Sequence, residues 1–243
     1  MTFEVLPLPM LQDNYSWALI DRDGARMAIV DPPETEPVER LLASHGLTLT
    51  LILLTHHHAD HIDGAEALRR KYGARIAGAA ADQHRLPSLD QPLHAGDQIA
   101  FAGEEAMVMD TPGHTTGHIS YYFAGSHALF CGDTMFSLGC GRLLEGTAAQ
   151  MFDSLAQFKA LAPETLVYCG HEYTAANGRF ALSVDPDNAA LAARVKQVAE
   201  LRAAGQPSLP SSLRDEIAAN PFMRAESVAR LAELRSAKDS FKG

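Results

Sequence analysis

The apolar run Leu49-Thr50-Leu51-Ile52-Leu53-Leu54 leads straight into Thr55-His56-His57-His58-Ala59-Asp60-His61-Ile62-Asp63-Gly64. The run is too short for a helix and rich in branched side chains, so it reads as a buried strand. Four histidines and two aspartates then fall within ten residues. A strand that ends in imidazole and carboxylate places those groups at one rim of a sheet, where ligands of open α/β sheets bind. Imidazole nitrogen with carboxylate oxygen is a first coordination shell for zinc, iron or manganese. His56 and His58 stand at i and i+2, so on extended backbone they face one side and His57 faces the other. Asp60 and His61 follow after the chain has begun to turn and face a second point nearby. A plainer reading has Asp60 or Asp63 capping the helix over Gly64–Lys71. One cap does not need this density of histidine, and a metal site is the reading we carry forward.

The bulk composition narrows the alternatives. A chain of 243 residues with 47% hydrophobic content holds one large domain, or one domain with an appendage, around a sizeable core. No apolar run approaches the roughly 20 residues that span a bilayer, so no membrane partner is expected. The start, Met1-Thr2-Phe3-Glu4-Val5, lacks the basic and long apolar regions of a signal peptide. Cys131, Cys140 and Cys169 are odd in number and widely spaced, which argues against a disulfide framework. Together these features lead us to expect a cytoplasmic protein; a monomer is also expected. The net charge of −10 argues against nucleic acid as a partner. Residues 175–243 nevertheless carry ten Lys/Arg against eight Asp/Glu, so a mildly basic tail follows an acidic body.

Periodicity predicts strands over Phe3–Pro9, Tyr15–Asp21, Met27–Val30, Leu49–Leu54 and Arg75–Ala79, with helices over Glu34–His45 and Ala65–Tyr72. An irregular stretch around Pro87 and Pro92 follows. Gln98–Ala102 and Ala106–Asp110 read as a hairpin across Gly103-Glu104-Glu105, followed by strands Ile119–Phe123, Ala128–Cys131 and Leu166–Cys169. Thr147–Ala160 is helical. From Thr174 onward only helices are signalled: Ala175–Leu182, Asn188–Ala204, Leu213–Ala219 and Glu226–Ser236. This order predicts an α/β body over residues 1–173 and a helical C-terminal domain over 174–243.

Three further strand ends repeat the pattern of the first. The strand ending at Asp110 runs into Thr111-Pro112-Gly113-His114, that ending at Cys131 into Gly132-Asp133-Thr134, and that ending at Cys169 into Gly170-His171-Glu172. Each sets a histidine or aspartate beside a residue that bends the chain. The donors are then His56, His58, Asp60, His61, His114, Asp133 and His171. Seven are too many for one tetrahedral ion. They suit two, one with three histidines and one with two histidines and Asp60, bridged by Asp133. Even one zinc ion lowers the pKa of a bound water to about 7, so such a site is expected to hold hydroxide at neutral pH. His118 reads as a histidine behind the ligands, and Asp31 as a group that orients one of them. Cys140, between two glycines, reads as a packed small residue.

The pattern His-x-His-x-Asp-His, followed by His, Asp and His on later strand ends, resembles the metallo-β-lactamase superfamily. Within it the chain is most similar to glyoxalase II, the hydroxyacylglutathione hydrolases. The likeness includes Leu11-Gln12-Asp13-Asn14-Tyr15, Ile29-Val30-Asp31-Pro32, Thr111-Pro112-Gly113-His114-Thr115-Thr116-Gly117-His118 and Phe130-Cys131-Gly132-Asp133-Thr134. Gly139-Cys140-Gly141-Arg142, Glu145-Gly146-Thr147 and Gly170-His171-Glu172-Tyr173-Thr174 are more specific to that subfamily. The resemblance implies an α/β fold, an αββα sandwich of two mixed sheets, with a C-terminal helical appendage that contributes to substrate binding.

It further implies two divalent metal ions per chain, zinc in the first place with iron or manganese acceptable. The implied substrate is a glutathione thioester, held by Arg142, Tyr173 and the pair Arg235 and Lys238. These last two are one helical turn apart and able to face one carboxylate. Leu144 departs from the pattern, since relatives often carry an aromatic residue there. The implied reaction is hydrolysis of S-(2-hydroxyacyl)glutathione, such as S-D-lactoylglutathione, with Asp60 and Asp133 in catalytic positions. A mononuclear-iron persulfide dioxygenase of the same superfamily is the nearest alternative. A nuclease, a lactamase and a non-catalytic metal-binding module are more distant ones.

The i, i+2 alternation makes a direct prediction. His57→Ala should keep activity and bound metal within a fewfold of the parent, while His56→Ala and His58→Ala lose most of both. Activity and metal per chain measured on all three variants test it; equal damage from all three would mean that the loop is not extended.

Overall fold

The structure, a computed structural model, describes residues 2–243. The chain separates into two compact units, one of residues up to Asp110 with Gly117–Gly132, the other of Thr111–Thr116 with Asp133–Gly243.

The first unit begins with strands β1 (Glu4–Met10), β2 (Asn14–Asp21) and β3 (Arg26–Val30), joined as an antiparallel meander. After helix α1 (Glu36–His45) the chain enters β4 (Thr48–Leu53), which lies parallel to β3. The one-turn helix α2 (Ala59–Ile62) and helix α3 (Ala65–Tyr72) lead to β5 (Arg75–Ala79) and β6 (Gln91–Leu93), both parallel additions. The result is a mixed six-stranded sheet in the order β1-β2-β3-β4-β5-β6. Strands β7 (Gln98–Phe101), β8 (Glu104–Asp110), β9 (Ile119–Phe123) and β10 (Ala128–Gly132) form antiparallel ladders in sequence order.

Burial on both faces explains the continuous hydrophobic strands. Ala18, Ile20, Met27, Ile29 and Ile52 pack with Val38 and Leu42 of α1 and Leu68 of α3. Their neighbours Trp17, Leu19, Ala28, Leu51 and Leu53 alternate onto the opposite face and are equally buried. The second set of strands covers that face. Phe3 meets Phe123 edge-on at 4.9 Å, and the buried Tyr121 hydroxyl donates to Leu54 O at 2.8 Å.

Several expectations shift at element ends. The β7–β8 turn has two residues rather than three, because Phe101 pairs with Glu104. Ala102 and Gly103, both left-handed at φ 52° and 77°, make the tight turn that matches strand twist. Neither Asp60 nor Asp63 caps α3; Gly64 does, and its N–H donates to Pro32 O at 3.0 Å. A Cβ at Gly64 would stand 2.7 Å from that oxygen, so the close approach requires glycine. Strand β6 lies where the sequence reads as irregular, since Pro92 hides a three-residue edge strand.

In the second unit the short strands β11 (Met135–Phe136) and β12 (Gly139–Cys140) form a tight hairpin, and helix α4 (Ala148–Lys159) follows. Thr147 and Gln150 close a capping box on α4. Strand β13 (Leu166–Cys169) pairs antiparallel with β14 (Ser211–Ser212). Helices α5 (Thr174–Val184), α6 (Ala189–Ala203), α7 (Leu213–Ala219) and α8 (Val228–Ser240) complete the chain. Helix α8 runs four residues past its expected end. Its apolar pattern stops at Leu234, but Arg235 pairs with Asp239 and Lys238 donates to Ala176 O, which hold the last turn.

The Tyr121 hydroxyl predicts a measurable contribution to stability. Tyr121→Phe should cost about 1–2 kcal/mol, because it leaves the buried Leu54 carbonyl short of a donor. Urea unfolding of parent and variant measures it; an unchanged midpoint would show that the bond contributes nothing net.

Candidate functional site

In the first unit the histidine cluster is organised from behind by Asp31, just past β3. Its carboxylate accepts from Thr55 N at 2.8 Å, from Thr55 Oγ1 at 2.6 Å, and faces His61 Nδ1 at 3.1 Å. Asp31 sits at φ 50°, a left-handed conformation that costs a non-glycine residue about 1–2 kcal/mol. Ser16 Oγ donates to its carbonyl at 2.7 Å and so fixes that backbone turn.

Proton accounting then orients two rings. A carboxylate only accepts, so Nδ1 of His61 carries the proton and Nε2 the lone pair. The single Thr55 hydroxyl proton goes to Asp31, so Thr55 Oγ1 accepts from His56 Nδ1 at 3.0 Å. His56 therefore also presents Nε2 as its lone-pair nitrogen, 3.1 Å from Nδ1 of His58. Two histidine nitrogens facing each other at that distance suit a shared cation. The donor atoms of Asp31, His56 and His61 all lie within 4.8 Å of one another. Asp60 is steered by Asn14, whose amide donates to its carbonyl at 2.9 Å and its carboxylate at 3.1 Å. That carboxylate stands 3.8 Å from His61 Nε2.

His57 points elsewhere, to Asp82 at 3.2 Å and Arg85 at 3.2 Å, as alternation along the strand requires. His118 stacks on His56 with centroids 4.8 Å apart. Gly132, at φ 47°, passes so close that a Cβ there would strike Thr55 Oγ1 and lie 2.8 Å from His118 Nε2. His118 thus stands behind the ligand histidines as its sequence reading expects, whereas the roles of Thr55 and Asn14 depend on contacts between segments distant in sequence, so local pattern does not reveal them.

The second unit gathers the other predicted donors. His114 Nδ1 lies 2.9 Å from Arg142 O, which acts as acceptor and leaves the His114 lone pair on Nε2. That Nε2 and Nε2 of His171 stand 3.5 and 3.4 Å from the same oxygen of Asp133. All three are buried. Two imidazole nitrogens aimed at one carboxylate oxygen, too far for strong hydrogen bonds, fit a divalent cation by both donor chemistry and placement. His171 stacks face to face with Tyr173 at 4.6 Å, and Phe136 closes on Tyr173 edge-on at 5.2 Å.

A cleft of about 400 Å³ in this unit is lined by His114 and Asp133 and also by Arg142, Tyr173, Arg235 and Lys238. All four substrate-contact residues expected from the resemblance thus share one cavity. Their surroundings differ. Arg142 is exposed, whereas Arg235 is buried, with Nη1 donating to Cys140 O at 2.7 Å and Nη2 to Asp239 at 2.9 Å. Lys238 Nζ donates to Ala176 O at 3.2 Å and lies over the rings of Phe180 and Phe241. Burial, then the charges of Arg235, Arg179 and Arg142, pushes its pKa down. Burial raises the Cys140 thiol to about 11 against the opposing pull of Arg235, so it is no nucleophile at neutral pH. Leu144, the departure from the family pattern, is exposed.

The hairpin that carries Cys140 is held from several sides. Glu216 accepts from Leu138 N at 2.8 Å, Asn220 donates to Gly139 O at 3.0 Å, and Asn177 donates to Ser137 O at 3.2 Å. Leu138 itself is left-handed at φ 59°. Burial raises the Glu216 pKa, opposed by its hydrogen bonds.

Comparison with known proteins accords with this geometry. Residues 12–171 match the metallo-beta-lactamase superfamily, and residues 172–241 match the hydroxyacylglutathione hydrolase C-terminus. A hydroxyacylglutathione hydrolase of Acidiphilium cryptum (strain JF-5) is 54% identical over 98% of this chain and 97% of its own. One of Rhodobacter capsulatus is 53% identical over 96% of this chain and 91% of its own. The chain belongs to the hydroxyacylglutathione hydrolase family. Among solved structures, ETHE1 from Myxococcus xanthus superposes with a TM-score of 0.74 at 25% identity, covering 100% of this chain and 93% of that one. The fold is therefore the αββα class of the metallo-β-lactamase superfamily with C-terminal helices, and the His/Asp clusters are those of a divalent-metal protein.

The unequal burial of Arg235 and Lys238 separates their expected behaviour. Arg235→Ala should raise KM for a glutathione thioester and also cost on the order of 2–4 kcal/mol of stability, since Cys140 O and Asp239 lose their donor. Lys238→Ala should raise KM about five- to 150-fold, equivalent to about 1–3 kcal/mol, with less loss of stability. Steady-state kinetics beside urea melts measures both. Parent KM in both variants would remove them from substrate binding.

Proposed function

We propose that this chain hydrolyses S-(2-hydroxyacyl)glutathione thioesters, with S-D-lactoylglutathione as substrate and D-lactate and glutathione as products. The observation that carries the reading is the single cleft in which buried His114 and Asp133 share walls with Arg142, Tyr173, Arg235 and Lys238. It sets two of the proposed metal donors beside cations suited to the carboxylates of glutathione. The names of the relatives, at 54% and 53% identity across nearly the whole chain, support the same substrate.

His56, His58, Asp60, His61, His114, Asp133 and His171 would hold two divalent ions, zinc by preference, with iron and manganese acceptable to the same donors. Such ions, when bound, supply Lewis acidity for the thioester carbonyl and lower the pKa of a coordinated water to about 7. The chain's own residues supply position. Asp31 and Thr55 fix the His61 and His56 rings, and the Arg142 carbonyl fixes His114. Arg142, Tyr173, Arg235 and Lys238 bind the glutathione part rather than the reacting carbonyl. These contacts are equally strong in ground and transition states and so act on KM rather than kcat. Residues 1–173 would form the catalytic domain, and residues 174–243 would contribute to substrate binding through Arg235 and Lys238.

The persulfide dioxygenase reading is weaker. The match to the hydrolase C-terminal family over residues 172–241 includes Arg235 and Lys238, and the ETHE1 likeness is only 25% identical.

The decisive test is steady-state hydrolysis of S-D-lactoylglutathione with metal analysis of the same preparation. Hydrolysis should be abolished by a chelator, restored by zinc, and unaccompanied by oxygen uptake. Asp133→Asn keeps the side-chain shape but loses its charge. Turnover should fall on the order of 100-fold or more while circular dichroism stays unchanged. Oxygen consumption with glutathione persulfide and no thioester hydrolysis would overturn the assignment.

A further inference from the structure

The cationic part of the cleft already contains a carboxylate. Asp239, in the last turn of α8, accepts from Arg235 Nη2 at 2.9 Å and faces Arg142 Nε at 3.7 Å with the same Oδ1. Both arginines and Asp239 line the cleft. Arg235 is committed on both terminal nitrogens, one to Cys140 O and one to Asp239. Arg142 and Asp239 are 70% and 44% exposed, so their contact can be exchanged, whereas the Arg235 side chain, at 7%, stays in place. A carboxylate from a ligand that enters between the two guanidinium groups meets Asp239 at the position it needs.

Resting on the function proposed above, we infer that Asp239 is a built-in competitor for the carboxylate of the glutathione moiety and sets how tightly the cleft holds it. The chemistry gives such a group a purpose. Substrate and product carry the same glutathione carboxylates, so any contact that tightens one tightens the other. An internal anion weakens both equally and keeps the product from occupying the cleft. The competition is purely electrostatic and requires no covalent step. It predicts that neutralising Asp239 strengthens ligand binding, the reverse of removing an ordinary binding residue.

The test uses the full-length metal-loaded enzyme. Asp239→Asn should lower both KM for S-D-lactoylglutathione and the inhibition constant of glutathione by about three- to tenfold, a gain of the size expected for a partly exposed ion pair. KM for a short uncharged thioester should not move. Asp239→Glu, which keeps the charge, should stay within about twofold of the parent on both constants. Melting curves for both variants check that α8 remains folded. A raised KM or inhibition constant in a folded Asp239→Asn enzyme would make Asp239 a supporting or substrate-binding group, and unchanged constants would make it a bystander; either overturns the inference alone. Failure of the parent enzyme to hydrolyse S-D-lactoylglutathione overturns the function and the inference together.

Discussion

The carboxylate of Asp31 is the contact on which the first donor set depends. It ties the end of β3 to the end of β4 through both the N–H and the hydroxyl of Thr55, and it reaches on to the ring of His61. Accepting from His61 Nδ1 leaves Nε2 of that ring basic, and taking the Thr55 hydroxyl proton does the same for His56, whose Nδ1 donates to Thr55 Oγ1. The left-handed backbone at Asp31 costs energy, and the hydrogen bonds it receives at carboxylate and carbonyl offset that cost. Strain of this kind persists because the surrounding sheet over-determines it. Strands β2, β3 and β4 are buried on both faces and cannot relax the turn without exposing their core.

The second donor set rests on backbone instead of a carboxylate. Arg142 O turns His114, and the segment after it is laid against the same turn, with Leu144 N and Glu145 N both donating to His114 O at 3.3 Å. One chain segment therefore serves two tasks: its carbonyl aims a candidate metal donor, His114, and its side chain enters the cleft. The Cys140 hairpin continues the arrangement, held by Glu216, Asn220 and Asn177 and by the guanidinium of Arg235. Buried polar groups are expensive unless paired, so this network specifies one loop conformation more sharply than apolar packing would. The helices that supply those groups are structural partners of the loop as well as a source of cations.

Cleft electrostatics follow from the same economy of parts. Three cations in one cavity would repel each other, and burial together with that repulsion lowers the Lys238 pKa. Asp239 offsets part of the repulsion, and the stems and charges of Lys238 and Arg235 rest against Phe180, Phe241 and Phe222. The thiol of Cys140, although next to Arg235, is dominated by desolvation and stays protonated.

Much of this was legible in the chain itself. Strand periodicity placed His56 and His58 on one side and turned His57 toward Asp82, because side-chain direction on extended backbone is a local property. Clustered histidines, the glycines at strand ends and the helical run after Thr174 are likewise local signals, and they sufficed for the α/β class and the candidate donors; the family was read from the resemblance of longer stretches such as residues 139–142 and 170–174. The third dimension decided what depends on segments far apart in sequence. That the histidine Asp31 orients is His61, that Asn14 steers Asp60, and that Arg142 aims His114 through its carbonyl follow from contacts 28 to 46 residues apart. The caps and turns went the same way: Gly64 displaced the expected aspartates because Pro32 O lies against it, and β6 formed around Pro92 because an edge strand needs few donors. The resemblance marked Arg235 as a substrate-facing charge in sequence but said nothing of its burial. Only packing against Phe222 and the Cys140 carbonyl made it a buried one, since burial is a property of what the rest of the chain brings alongside.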